Sequence, residues 1–418
     1  MINHFKIIKD LDFVRLAGSE GEKKAREIIS SYCNELGFEP KTESFDLISF
    51  EPGTATIKTD TKTFEAVPFG LNESAELEGE LVFLENKDVI AFNKNAFKDK
   101  IVLSMGYTRR LSPDLKKSGI KAYIVIGRPE REALSLSHRQ KLHKEGYVPM
   151  VTVSYDDGMK LAKKSGTPVS LSISQKVQKK KAHNINVDIP AKDKKDENLT
   201  LAVGHYDTVS RSPGASDNAG GTISLIKAIE HFSKHQPTRD LRIIFFSGEE
   251  LGLLGSQHYV KTHLDEIKDR VGLVLNLDVS GDPIGSDGMM VVGTNELLGY
   301  CDGLMKEVGV LYEAKLDIYS SDNMPFSVYE IPSVNIARFG GKASFHIHTP
   351  GDNAKNVSAQ GYKNTITTAI VLLKHILNAD IYPVKKEIDA SLRDKVEKYI
   401  WNLNYDKPEL EWEPKYKK

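Results

Sequence analysis

The chain has 418 residues, with 57 lysines and arginines against 58 aspartates and glutamates, for a net charge of -1. That length predicts two or three domains with a core that needs neither a disulfide nor a structural metal to hold it. The charge balance excludes a protein that grips a phosphate backbone, and 40% hydrophobic with 28% charged residues is the composition of a soluble globular protein.

At the N-terminus, Lys6, Lys9 and Asp10 interrupt any apolar leader, and no apolar run approaches the ~20 residues of a membrane helix. Cys33 and Cys301 read as two buried thiols in a reducing compartment. These features predict a cytoplasmic protein, or a secreted one whose signal peptide has been removed.

Residues 1–45 read as helical. Within Ser19–Leu36, the residues Ala25, Ile28, Ile29, Tyr32, Cys33 and Leu36 recur at helical spacing and make one apolar face. From about Ser44 to Val177 short β-like runs take over: Ala55–Lys58, Leu81–Leu84, Ile101–Met105, Tyr123–Ile126 and Val151–Val153. Ile101–Met105, Pro113–Ser118 and Tyr123–Ile126 form a small strand–helix–strand unit. The basic run Lys176–Lys181 predicts a solvated linker or hairpin tip. Asn184–Ile189 then reads as a strand, with Leu199–Val203 as its hairpin partner.

From Leu199 the pattern alternates strand and helix, which predicts an α/β fold: a mixed, mostly parallel sheet with helices on both faces. Strands are expected at Leu199–Gly204, Leu241–Ser247, Leu273–Asp278, Met289–Val292 and Ser333–Ala337. Helices are expected at Gly221–Lys234, Leu251–Thr262, Asn295–Val308 and Asn356–Leu377.

Five segments concentrate chemistry at the expected strand ends: Gly204-His205-Tyr206-Asp207, Gly214-Ala215-Ser216-Asp217-Asn218-Ala219-Gly220-Gly221, Gly248-Glu249-Glu250, Asn276-Leu277-Asp278 and His346-Ile347-His348-Thr349-Pro350-Gly351-Asp352. Open α/β sheets bind ligands outside the carboxyl ends of their strands. Imidazole and carboxylate donors without cysteine suit Zn²⁺, and similar sites take Mn²⁺ or Co²⁺. Two histidines with three carboxylates exceed the three protein ligands of one catalytic zinc and match two ions sharing a carboxylate. Each piece alone has a plainer reading. Asp217 could cap a helix, Glu249-Glu250 could complement a helix dipole, and His205 with Asp207 could be a structural pair. Five such coincidences in order are not expected.

In this order the segments resemble peptidase family M28, the co-catalytic zinc metallopeptidases, most of which are aminopeptidases. The resemblance covers residues 1–45 and 180–380. It implies that His205, Asp217 and Asp278 hold one zinc while Asp217, Glu250 and His348 hold the other, with Asp217 bridging. Glu249 would be the general base, and Asp207 would orient His205. A cis peptide at Asp217–Asn218 is implied as well. Gly220-Gly221 would keep the backbone beside the metals free of side chains. Asn323 stands where the family usually has histidine, in a segment expected near the substrate pocket. Tyr319 is one residue out of register with the family's oxyanion-supporting tyrosine.

Residues 46–178 resemble a protease-associated insert through Asp99–Leu103 and Ser118–Ala122, which implies a lid or protein-contact module. The expected organisation is a catalytic domain split between 1–45 and 180–380, a small β-rich insert at 46–178, and a charged extension at 381–418. That extension, with Trp401 and Trp412, would pack on the body or on a partner subunit. The implied substrate is a peptide with a free N-terminus, with no nucleic acid and no membrane as partner. Oligomers would form through the insert or the extension. A related metal amidohydrolase or glutaminyl cyclase, or a receptor-like scaffold on the same fold, are the alternatives. The complete ligand set weighs against all three.

Overall fold

The computed structural model describes residues 3–108 and 111–403. Two helices, α1 (His4–Leu11) and α2 (Glu20–Glu35), precede β1 (Lys41–Lys58), β2 (Thr63–Pro68) and β3 (Ala75–Leu84). A smaller α/β unit follows: α3 (Val89–Phe92), β4 (Ile101–Met105), α4 (Ser112–Lys117), β5 (Ala122–Ile126), α5 (Gln140–Glu145), β6 (Met150–Val153) and α6 (Tyr155–Ala162). The long β7 (Pro168–Ile189) returns to the body, which continues with β8 (Leu199–His205), α7 (Ala219–Phe232) and β9 (Asp240–Phe246). Next come α8 (Leu254–Thr262), α9 (Leu264–Arg270), β10 (Val271–Leu277), β11 (Ser286–Val292), α10 (Asn295–Glu307) and β12 (Glu313–Leu316). The chain ends through α11 (Met324–Ser327), β13 (Ser333–Phe339), α12 (Lys342–Phe345), α13 (Ala359–Asn378) and α14 (Ala390–Leu403). Trp412 lies outside the described residues.

Local chemistry sets several of these boundaries. The Ser19 side chain accepts the Glu22 N–H at the start of α2, and Ser358 accepts the Gly361 N–H at the start of α13. Strands β8 and β10 are buried along their whole length, as central strands covered on both faces must be.

All 13 strands among the described residues form one mixed sheet in the order β1-β2-β6-β5-β4-β3-β7-β9-β8-β10-β13-β11-β12. Strands β9, β8, β10 and β13 run parallel, so their carboxyl ends open on one edge. One core layer packs Ile223, Ile226 and Ile229 of α7 with Ile243, Leu275 and Leu373 on one sheet face. The opposite face packs Leu201, Ile244 and Val274 against Tyr259 and Phe326. Burying each such side chain contributes roughly 1.5–3 kcal/mol, which makes the sheet a rigid platform for its edge. The segment between β1 and β7 has apolar clusters of its own, around Ile101, Ile124 and Val151 on one side and Val102, Tyr123 and Met150 on the other.

Four expectations need correction. Residues 1–45 are not helical throughout, because β1 begins at Lys41. Strands β7 and β8 are not hairpin partners, because β9 lies between them, antiparallel to one and parallel to the other. The basic run Lys176–Lys181 is neither linker nor tip. It lies inside β7, where Lys176 and Lys181 face Glu51 and Asp46 of β1 at 3.3 and 2.9 Å. Helix α8 begins at Leu254, so Glu249 and Glu250 sit on the turn before it.

Candidate metal centre

The carboxyl ends of β8, β9 and β10 deliver His205, the Glu249–Glu250 turn and Asp278 to one edge of the sheet. Asp217 arrives from the loop that enters α7, and His348 from the turn after α12. Together these side chains line a cavity of about 210 Å³, with Leu253, Val279, Tyr319, Ser320, Ile347 and Tyr399 completing its wall.

Within it the donors fall into two sets that share Asp217. His205 Nε2 lies 3.2 Å from Asp217 Oδ1 and 3.2 Å from Asp278 Oδ1. His348 Nε2 lies 3.3 Å from Asp217 Oδ2 and 3.1 Å from Glu250 Oε2. In each set one donor atom from every residue lies within 4.8 Å of the others, a span one ion can bridge. The other Glu250 oxygen, Oε1, is buried without a hydrogen-bond partner. A buried carboxylate oxygen left unpaired costs free energy unless a cation answers it. The donor chemistry fits zinc in both sets, and the orphaned oxygen adds to the fit of the set that holds Glu250.

The electrostatics of the cluster follow from packing acids and imidazoles together out of water. Burial alone would raise the Asp217 carboxyl, but hydrogen bonds from His205 and His348 outweigh it and hold the group well below the usual range. Burial opposes the charged form of His205, yet Asp278, Asp207 and Asp217 overcome it and push the imidazole up. Glu249 moves the other way. Its burial, with Glu250, Asp322 and Asp278 adding to it, lifts that carboxyl well above its ordinary value against the pull of His205.

The sequence profile of peptidase family M28 matches residues 184–373, the stretch that carries all five donors and Glu249. Over this segment the chain is similar to peptidase family M28. It is therefore an enzyme that hydrolyses peptide bonds. The aminopeptidase YwaD of Bacillus subtilis is 23% identical over 412 residues, covering 91% of this chain and 85% of that protein. An aminopeptidase of Pseudomonas aeruginosa is 31% identical over 140 residues, 33% of this chain and only 26% of that protein. The solved structure of BSAP, a zinc aminopeptidase from Bacillus subtilis, superposes with a TM-score of 0.72 at 20% identity, over 92% of this chain and 98% of that one. At that identity the match speaks for the fold.

The residues around the M28 donors differ from expectation in instructive ways. Asp207 faces His205 Nδ1 with its main-chain carbonyl at 3.2 Å, while its carboxylate stands at 3.6 Å, too long for a hydrogen bond. That carboxylate instead accepts the N–H groups of Glu249 and Glu250 at 3.2 and 3.4 Å, so it sets the turn that makes the two glutamates diverge. The Asp217–Asn218 peptide is cis. Gly220 and Gly221 serve packing rather than room for metals. A Cβ on Gly220 would meet Ser280 Oγ at 2.3 Å, and one on Gly221 would meet the Leu277 carbonyl at 2.2 Å. Asn323 is not among the residues lining the cavity; its buried amide meets the Ser333 hydroxyl at 3.0 Å. Tyr319 does line it, and its hydroxyl donates to the Asp278 carbonyl at 3.4 Å.

Two residues without an assigned role in the sequence organise the centre. Asp352 accepts the main-chain N–H groups of Ser216 and Asp217 at 2.7 and 3.0 Å, and burial with the nearby Asp217 charge pushes its carboxyl up to about 7. The buried Arg15 guanidinium donates to the carbonyls of Tyr206 at 2.7 Å, Gly214 at 3.0 Å and Pro213, tying the N-terminal segment to both metal-site loops. Asp352 at least stood in a recognisable motif. Arg15 had no signal, because its partners are main-chain carbonyls that any sequence supplies. Leu253, Val279 and His348 line the cavity with φ of 60, 67 and 66°. Left-handed backbone at such residues costs about 1–3 kcal/mol each and persists only where the surroundings over-determine it.

Proposed function

We propose that the chain is an aminopeptidase that removes N-terminal residues from peptides at a two-zinc centre. One observation carries this reading: the two oxygens of Asp217 face different histidines, Oδ1 toward His205 at 3.2 Å and Oδ2 toward His348 at 3.3 Å. A carboxylate so placed suits a bridge between two ions. His205, Asp217 and Asp278 would hold one zinc, and Asp217, Glu250 and His348 the other, with Mn²⁺ or Co²⁺ as substitutes. When bound, such ions supply Lewis-acid chemistry that acidifies water and polarises a scissile carbonyl.

The protein's own groups handle the proton. Glu249 stands in the cavity with its carboxyl raised by burial, which suits a group that takes a proton from the attacking water and returns it to the leaving amine. Asp207 fixes the Glu249 backbone through its N–H, which sets the turn from which the base projects. The cavity of about 210 Å³ is small, which favours the end of a peptide over its middle. Residues 46–178 would form the insert, with separate apolar clusters in support, and α14 would place Tyr399 of the extension at the cavity wall.

The test is hydrolysis of aminoacyl-p-nitroanilides with free and with acetylated amino groups, before and after chelation. Cleavage of the free series alone, lost with chelator and restored by Zn²⁺, is expected. Equal cleavage of acetylated substrates, or indifference to the chelator, would contradict the proposal.

A further inference from the structure

Three residues between β5 and α5, far from the metal donors in sequence, close on the turn that carries His348. The Ser135 N–H donates to the His348 carbonyl at 2.8 Å. On one side of His348, the Arg131 guanidinium donates to the Ile347 carbonyl and lies 5.8 Å over the Phe345 ring. Glu132 Oε2 then reaches both sides, meeting His346 Nδ1 and the Thr349 hydroxyl at 2.9 Å each. Each residue from Phe345 to Thr349 is thereby contacted from outside the M28 segment, His348 through its carbonyl alone.

The strain explains why such a brace is needed. His348 holds φ at 66°, and its carbonyl direction is set by the Ser135 N–H. Arg131 and Glu132 hold the residues on either side, Ile347 and Thr349, so the left-handed turn that aims the ring at Asp217 and Glu250 is over-determined by segment 131–135. The other donor set is built differently. His205 ends β8, and Asp278 follows β10 with its N–H on the Ile336 carbonyl at 3.1 Å, so both are carried by the central sheet.

We infer that Arg131, Glu132 and Ser135 are positioning residues for His348, so that docking of segment 131–135 completes the second metal site while leaving the first intact. This rests on the reading of His348 as a metal ligand. Residues that orient a ligand from outside the coordination sphere typically change metal affinity by about 10–100-fold.

The experiment is Zn²⁺ binding to the full chain, measured by competition with a chromophoric chelator, in wild type, Glu132→Ala and the double variant Arg131→Ala/Glu132→Ala. Circular dichroism and thermal unfolding show whether each is folded. Wild type should bind two ions per chain. The double variant should keep one tight ion and bind the second about 10–100-fold more weakly. Glu132→Gln, which retains an acceptor for the Thr349 hydroxyl, should recover part of the loss. An unchanged second affinity in the double variant overturns the inference while leaving the two-zinc reading standing. Equal weakening of both ions also overturns it, since that marks a general loss of structure. Fewer than two ions in wild type overturns the two-zinc reading itself, and the inference with it.

Discussion

Asp352 holds Asp217 by its main chain and not by its side chain. Its Oδ2 accepts the Asp217 N–H at 3.0 Å and its Oδ1 accepts the neighbouring Ser216 N–H at 2.7 Å. Both side-chain oxygens of Asp217 are thus left to face His205 and His348. Replacing Asp352 by alanine strands two buried N–H groups and frees the Asp217 loop. Activity and metal content should fall together, activity by about 10–100-fold. Asp352→Asn keeps one acceptor and should lie between, as read from kcat/KM and metal per chain.

Arg15 carries a different load. Its guanidinium is fully buried yet satisfies carbonyls from α1 and from the loops after β8, and burial pulls its pKa down only to about 10, so it stays charged at neutral pH. Arg15→Met should destabilise the protein by about 3–5 kcal/mol, seen as a lower urea midpoint. Arg15→Lys should recover little of this, because an ammonium cannot reproduce the planar fork.

A titration prediction lies away from the metals. His138 is buried beside Tyr147, with Nε2 3.0 Å from Asn72 Oδ1, and burial, with a smaller push from His143, lowers its pKa to about 3. Its folded pKa lies below the value of about 6.5 in the unfolded chain, so the unfolded state binds the proton first. The stability that His138 contributes is complete above pH 6.5 and is lost as pH falls toward 3. At pH 5 the loss should be about 2 kcal/mol. The measurement is the difference in urea unfolding between pH 7 and pH 5, which should shrink by that amount in His138→Gln.

The donors were legible because zinc chemistry admits few residue types, and because an α/β sheet puts them at strand ends. Other features depend on contacts that sequence spacing does not show. Nothing local says that β9 should enter between β7 and β8, since pairing is decided across the sheet. The lysines of β7 read as a linker because the acids that answer them, Asp46 and Glu51, lie on β1 more than a hundred residues earlier. Asp207 was expected to orient His205; it meets His205 Nδ1 through its main-chain carbonyl at 3.2 Å, and its carboxylate also accepts the N–H groups of Glu249 and Glu250, which spacing alone does not show. The glycines after Asp217 were read for openness, and the structure uses them for closeness to Ser280 and Leu277.

The central claim is that Glu249 moves the proton while other residues hold the metals. The direct measurement is metal content together with aminoacyl-p-nitroanilide hydrolysis in Glu249→Gln beside wild type. The variant should retain two zinc ions per chain and lose about 10²–10⁴-fold in kcat. Wild-type activity in Glu249→Gln, or a single tightly bound zinc in the active wild-type enzyme, would contradict it.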